Sequence, residues 1–423
     1  MTERPDAPTD GPVADGSAPD GATAGRIAPA DGRAVGRAAH DAAGSHAPGA
    51  ATPAPPEAAE RQDWDPLASL RTPSDPPLDV LLSGTVFFDI VFTGMDRLPQ
   101  PGEELWSKGM GSSPGGIANL ATAAARLGLR TGLVAGFGDD AYGDWMWQTL
   151  SEEEGIDLSA SRRFDDFHSA LTVSIAAHGD RAMATHGHDL PEPLSAMIAR
   201  APAARAAVVD LAGETSWWAE LARGGALIFA DIGFDATGRW DPADLAPLAH
   251  CHAFTPNALE ATAYTRTDSP GRAVRALAEM VPLAVVTDGV DGAYAIDAST
   301  GEEAFCPAVP VHAIDTTGAG DVFAAGMVLG TLAEWPLEQR LRFASLCSAL
   351  AVQQFGGSLA APGWGDITDW WRQLSDASAD GDLRAAYTRG GYEFLDGIVP
   401  DHPVLGRRRA QGTFALRSDA GRH

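Results

Sequence analysis

The chain has 423 residues, with 30 Lys and Arg against 57 Asp and Glu and a formal net charge of -27. That length exceeds what one hydrophobic core usually holds, so it predicts two domains or one large domain with tails. A surface this acidic repels polyanions, which makes long nucleic acid and anionic membrane poor partners, while a small phosphorylated ligand needs only a local positive site.

Residues 1–76 are dominated by Ala, Pro, Gly and Asp, and Trp64 is their one aromatic residue. So few large apolar side chains cannot offset the entropy of ordering the segment, which predicts a disordered extension. Its start, "MTERPDAPTDGPVADG", has no apolar run of the secretory type. No stretch of the chain reaches the ~18 apolar residues of a membrane span. Cys251, Cys306 and Cys347 are far apart and form no CxxC pair. Buried thiols in a reducing cytosol are expected rather than a disulfide framework or a zinc site.

At Leu78 the pattern changes. "LDVLLSGTVFFDIVF" (78–92) is rich in branched and aromatic residues and predicts a buried strand closing near Asp89. "GGIANLATAAARLG" (115–128) has helical composition and ends on Gly128, a glycine C-cap. "RTGLVAGFG" (130–138) predicts a strand, and residues 140–155 a helix closed by Gly155. Further strands are predicted over 205–211, 225–232, 252–257 and 283–289, with helices between most of them. This succession argues for a parallel sheet covered by helices on both faces. Two stretches break it. "GEELWSKGMG" (102–111) and "SALTVSIAAHGDRAMATHG" (169–187) predict short strands joined by turns, with His178-Gly179-Asp180 as a hairpin signal. Residues 338–356 predict a long helix and 366–374 a last one; 375–423, with Arg407-Arg408-Arg409, predict a loosely packed tail.

The stretch with the most chemistry is "DTTGAGDVFAAG" (315–326). Val309, Val311 and Ala313 alternate before it, as in a strand ending near Asp315, and an apolar helix follows. Its small residues therefore lie where a helix begins, where backbone N–H groups lack partners and the dipole end is positive. Glycines let an anion approach those groups, which suits charge developing on a transferring phosphoryl group. Asp321 could take a proton from an attacking hydroxyl. A Gly-rich turn with an N-cap aspartate explains the same spacing without any function. The stretch is not a Walker A loop, and "GFGDDAYG" (136–143) departs from a dinucleotide fingerprint because its third glycine comes too late.

"DTTGAGDVFAAGM" resembles the C-terminal signature of the ribokinase-like (PfkB) family of carbohydrate and nucleoside kinases, and "GGIANLATAAARLGLRTGLVAGFGDDAYGDW" (115–145) resembles its N-terminal one. The resemblance spans about 78–372. It implies a three-layer α/β/α ribokinase-like fold with a mostly parallel central sheet and a small β lid. The kinase domain would run over 77–374, with lid segments near 96–112 and 168–188, between an N-terminal extension (1–76) and a C-terminal tail (375–423). It implies ATP-dependent phosphorylation of a hydroxyl on a small sugar or sugar-like alcohol in the cytoplasm. Asp321 matches the family's base, and the amides of Gly318, Ala319, Gly320 and Asp321 match its anion hole. Asp315, with the backbone of Thr317, matches a monovalent-cation (K+) site of many members. Asn257 and Glu260 match an NxxE motif that holds Mg2+ through water; positions i and i+3 share a helix face. Thr287, Asp288, Gly289 and Gly292 match the loop near the nucleotide, and also read as an ordinary hairpin turn. A homodimer through the lid is implied by some relatives.

On the sugar side, Asp89 and the set Gly115, Gly116 and Asn119 match groups that contact sugar hydroxyls. Only Ile117 and Ala118 separate Gly116 from Asn119, where the family commonly has three residues. A second departure is "ADIGFDATGR" (230–239), which keeps Asp231 of the Asp-Pro-Asn-x-Arg stretch of fructokinase-like members but not the rest. That weakens the case for a fructokinase. A nucleoside kinase of the same family, and a catalytically silent binding or regulatory protein on this fold, are the alternatives. His186 and His188 are expected as exposed residues or lid contacts, and the pairs Trp217-Trp218 and Trp370-Trp371 as core packing.

Overall fold

The computed structural model describes residues 64–177, 180–213, 216–400 and the backbone of 417–418. Residues 1–63, His178 and Gly179 of the expected hairpin signal, and Arg407-Arg408-Arg409 lie outside the described residues. In chain order the first half comprises β1 (Leu78–Ser83), β2 (Val86–Met95), β3 (Gly109–Gly116), α1 (Ile117–Arg126), β4 (Thr131–Val134), β5 (Gly136–Gly138), α2 (Ala141–Gln148), β6 (Arg162–Phe164), β7 (Ala170–Ala177) and β8 (Asp180–His186). There follow α3 (Leu194–Ile198), β9 (Ala204–Asp210), α4 (Ser216–Arg223), β10 (Leu227–Asp231), β11 (Ala253–Phe254), α5 (Ala258–Thr265), α6 (Pro270–Ala278), β12 (Leu283–Thr287), β13 (Ala293–Asp297) and β14 (Glu302–Cys306). The last elements are α7 (Ala319–Leu332), α8 (Leu337–Ala351), α9 (Gly357–Ala360), α10 (Trp364–Ala379), α11 (Leu383–Gly390) and β15 (Arg417–Ser418).

Eight strands form the central sheet in the order β14-β13-β12-β11-β10-β9-β1-β4, parallel except where β13 and β14 turn back. Side chains of a strand point alternately to the two faces, and here both faces are apolar. Ala206 and Val208 of β9 and Leu283 and Val285 of β12 join the core beneath α1, α7 and α8. Their neighbours Ala207, Val209, Ala284 and Val286 join a second core beneath α4, α5 and α6. The three-layer α/β/α architecture follows from that alternation. Helix α7 is buried over nearly its whole length, and Gly326 lets it approach α8: a Cβ there would stand 2.7 Å from Ala344 Cα.

A second sheet, in the order β15-β3-β2-β7-β8, is the small β lid. The apolar run at 78–92 is thus two strands in two sheets rather than one. Asp89 does not close a core strand but sits in the middle of β2, within the lid. Residues 102–108 form no strand, and β3 instead runs through Gly115 and Gly116, so α1 starts only at Ile117.

The strand expected before Asp315 is absent. Residues 307–318 are irregular, because Pro307 and Pro310 have no N–H to give a ladder. Both sequence tails also contribute more than expected. Leu67 is fully buried, Trp64 packs edge-on against Trp364 at 6.3 Å, and Arg71 makes a bidentate pair with the buried Asp79. At the other end, Tyr392 and Leu395 are buried. Trp371 donates to Asp396 (2.9 Å) beneath the guanidinium of Arg389, so residues 375–400 cap the α8 and α10 layer. The three thiols are buried, and burial pushes Cys251 up to about 12.

Candidate active site

The parallel strands β9, β10 and β12 all end on one side of the sheet, at Asp210, Asp231 and Thr287. Ligands of open α/β sheets bind in the crevice beyond such carboxyl ends. Helix α7 begins at the same side. Gly318, its N-cap, has φ 75°, a left-handed conformation that a Cβ would strain, and Asp321 lies in the first turn. Of the four amides expected to form an anion hole, that of Ala319 already donates to Thr316 O at 3.2 Å. The amides of Gly320 and Asp321 have no partner among the described residues. A Cβ on Gly320 would meet nothing within 4 Å. The protein's own packing therefore does not demand glycine at 320, whereas a group drawn up to the amides would.

On one side of this turn opens a cavity of about 420 Å³. Thr287, Gly289 and Gly292 line it, with Ala319 and Gly320 at its end; Asp288 is not among the lining residues. Gly292 has a structural reason of its own: φ is 107°, and a Cβ would stand 2.2 Å from Cys306 O. Other walls are Val290, Phe323, residues of the irregular stretch from Ala308 to Ala313, the face of α8 that carries Ser345, Ser348 and Ala349, and Val352 just beyond it. Sequence reasoning missed these walls, because apolar residues at helical spacing look the same whether they face a core or a cavity.

On the other side lie the residues expected to hold a sugar. Asn119 donates from Nδ2 to Asp321 Oδ2 at 3.1 Å, and its buried Oδ1 has no partner. Gly115 packs directly on Asp89, where a Cβ would stand 1.9 Å from Oδ2. Gly116 instead serves the backbone: φ is 62°, and a Cβ would stand 2.4 Å from Thr85 O. The short Gly-to-Asn spacing thus leaves Gly115, not Gly116, beside the carboxylate. Pairing register sets Ser113, Asp89, Thr172 and Thr185 in one row across four lid strands, hence on one face. The Thr172 and Thr185 hydroxyls lie 3.2 Å apart. His186 pairs with Leu171, one residue out of step, and so points to the opposite face. It stacks edge-on with His168 and His188, and all three are exposed.

Asp321 is half-buried on the floor of this cleft. Burial pushes its pKa up to about 6, against the hydrogen bond from Asn119, which favours the charged form. Asp231 reaches solvent, yet protein atoms crowd its carboxyl. Burial first, then the charges of Glu260, Asp321 and Asp210, push it up to about 8. Asn257 and Glu260 cap α5 reciprocally: Glu260 N donates to Asn257 Oδ1 (3.0 Å) and Asn257 N to Glu260 Oε2 (3.1 Å). Asp315 accepts from Thr317 N (2.9 Å) and from Gly356 N (3.1 Å), tying the α7 turn to α9.

A family model for pfkB family carbohydrate kinases matches residues 94–363. The chain belongs to the pfkB family. A fructokinase of Klebsiella pneumoniae is 32% identical over 280 residues, covering 59% of this chain and 89% of that relative. A ribokinase of Bacillus subtilis is 26% identical over 303 residues, covering 67% of this chain and 96% of the relative. Arabidopsis thaliana ribokinase complexed with ribose and ATP superposes with a TM-score of 0.57 at 21% identity, covering 70% of this chain and 98% of that one. A Cryptococcus neoformans ribokinase in complex with ADP gives 0.57 at 23%, covering 69% and 99%. These likenesses show the ribokinase-like fold over about 70% of the chain.

The pfkB family model begins inside β2, after Asp89, so the lid residue nearest Gly115 falls outside the match. Among the described residues no helix is long and apolar enough to cross a membrane. None of their His, Cys, Asp and Glu side chains form a group of three able to cage a metal ion. The carboxylates of the cleft still suit a hard cation that keeps its water. Glu260 is held in the capping box by Asn257, and the like charges of Glu260, Asp321 and Asp210 around Asp231 are what a divalent charge relieves.

Proposed function

We propose that this pfkB-family chain transfers the γ-phosphoryl group of ATP to a hydroxyl of a small sugar or sugar-like alcohol. The observation that carries the reading is Asp321. It stands in the first turn of α7, with open backbone amides and a cavity on one side and Asn119, Gly115 and Asp89 on the other. The acceptor oxygen forms a bond to the γ-phosphorus, and its proton passes to the Asp321 carboxylate. The bond to the β,γ-bridging oxygen breaks, and ADP leaves with that electron pair. The amides of Gly320 and Asp321, with the positive end of α7, stabilise the charge on the transferring oxygens. Asp89 and Asn119 orient the acceptor. Mg2+ bound through water near Asn257, Glu260 and Asp231 would neutralise phosphate charge. Asp315 serves the turn by its two backbone hydrogen bonds, and a monovalent cation beside it would reinforce the same link.

Asp321→Asn keeps the shape of the turn and removes the proton acceptor. A positioned base is worth about 10²–10⁴-fold in rate. The variant is expected to bind nucleotide normally and to lose at least about a hundredfold in kcat, read as ADP release across a panel of sugars and nucleosides. Near wild-type kcat on the preferred acceptor would remove Asp321 from the role. A preference for nucleosides would select the nucleoside-kinase reading, and tight ligand binding without turnover the silent binder.

A further inference from the structure

Resting on the kinase reading above, the geometry points to a phosphoryl donor site that does not read the base: we propose that GTP and ITP serve nearly as well as ATP. The argument starts from what lines the cavity. Among the described residues around it there is no Asn, Gln, Asp, Glu, His, Lys or Arg. Four hydroxyls are the only polar side chains among the lining residues, and two of them sit on α8: Ser348 donates to Ala319 O at 3.0 Å, and Ser345 is buried. The other two, Thr287 and Thr316, belong to the phosphate end. Thr287 ends β12 at the carboxyl edge of the sheet, and Thr316 O accepts from Ala319 in the α7 turn.

Away from the phosphates the walls are Val290, Val309, Pro310, Val311, Ala349 and Val352. These grip a flat ring by area, and area does not distinguish an amino group from an oxo group at purine C6. Rejection by four or five orders of magnitude comes from buried polar groups left unpaired by the wrong ligand; an apolar pocket discriminates by about one or two orders. What can still hydrogen-bond the base edge is the irregular backbone around Ala308 to Ala313. Each residue of that stretch other than Pro310 offers an N–H donor and a C=O acceptor. Adenine (N6–H donor, N1 acceptor) needs the two groups in one order and guanine or hypoxanthine (O6 acceptor, N1–H donor) in the other, and a stretch carrying several N–H and C=O groups supplies both orders. A single-ring pyrimidine buries less apolar area and binds more weakly.

The test uses the full chain in two measurements. Calorimetric titration compares ADP, GDP and IDP in the presence of Mg2+, and turnover compares kcat/KM for ATP, GTP and ITP with the best sugar acceptor. The expected result is purine dissociation constants and kcat/KM values within about thirtyfold of one another, with CTP and UTP lower. A preference for adenine above about thirtyfold in binding overturns the proposal while leaving the kinase reading intact. If no nucleotide binds, the kinase reading itself fails and the proposal with it.

Discussion

The position of the acid limb in the pH profile follows from the surroundings of Asp321. Burial raises its carboxyl to about 6, and a carboxyl must be ionised to accept a proton. A base with that pKa is about 90% ionised at pH 7 and about 10% at pH 5, so kcat/KM should fall about tenfold over that interval. Asn119→Ala removes the 3.1 Å hydrogen bond that favours the charged form, so the pKa must rise further. Such a bond to a charged group is worth about 1.5–3 kcal/mol, which at 1.36 kcal/mol per unit moves the limb about one to two pH units towards alkaline.

Initial rates with both substrates below KM, from pH 5 to 9, read this directly. Loss of a sugar contact in Asn119→Ala would lower the plateau but would not move the limb. Acid unfolding is separated by its sign. A folded-state pKa above the unfolded value means that protonated Asp321 favours the folded form; this contribution is complete below about pH 4 and is lost as pH rises through about 6. Protonation of Asp321 therefore cannot cause an acid-side loss of structure, and circular dichroism across the range should stay flat. A wild-type profile that is flat between pH 7 and 5, or a variant limb that coincides with the wild-type limb, would refute the assignment.

Two further substitutions probe the same frame. Gly115→Ala places a Cβ 1.9 Å from Asp89 Oδ2 and must displace that carboxylate. It should lower kcat/KM for the sugar on the order of a hundredfold while the ADP dissociation constant stays unchanged; a weakened ADP affinity would place Gly115 elsewhere in the mechanism. Arg126 and Glu154 form a buried bidentate pair, 7% and 8% exposed, and Arg126 also donates to Leu359 O (3.1 Å) and Ala361 O (2.8 Å). Arg126→Ala strands a buried carboxylate at a cost of about 3–5 kcal/mol, and should lower Tm on the order of 10 °C in scanning calorimetry.

Much of the catalytic turn was legible because its signal is local. Glycines at 318 and 320, an acid at 321 and an apolar run behind them specify a helix start in any context. The hairpin after Thr287 was legible for the same reason. Asp89 was misplaced because the branched and aromatic run continues across Gly84, so two strands of different sheets look like one. The strand expected at 309–313 is absent because Pro307 and Pro310 remove the N–H groups that a ladder needs, whatever the alternation of Val309, Val311 and Ala313. Asp210 and Asp231 become neighbours only through the parallel pairing of β9 and β10, which no spacing in the sequence encodes. Asn257 and Glu260 matched an ion-binding motif in the sequence, and the structure adds a second role for them. Their reciprocal capping bonds give the motif a structural reason beside the ion reading.

The short helix α9 shows how the two halves of the site are held in register. Gly356 N bonds Asp315 in the α7 turn, and the Ser358 hydroxyl bonds Pro114 O at the end of the lid strand β3. Between them Gly357 touches Asn119, where a Cβ would stand 2.3 Å from Oδ1, and another on Gly318 would stand 3.4 Å from Asn119 Cγ. Asn119 is thus packed against two glycines from segments about 40 residues apart: a side chain on Gly357 would push the amide off Asp321, and Gly318 is held to glycine by its φ of 75°. These contacts tie the Asn119–Asp321 pair, the end of β3 and the α7 turn to one another. That arrangement is what a transfer dependent on positioning requires.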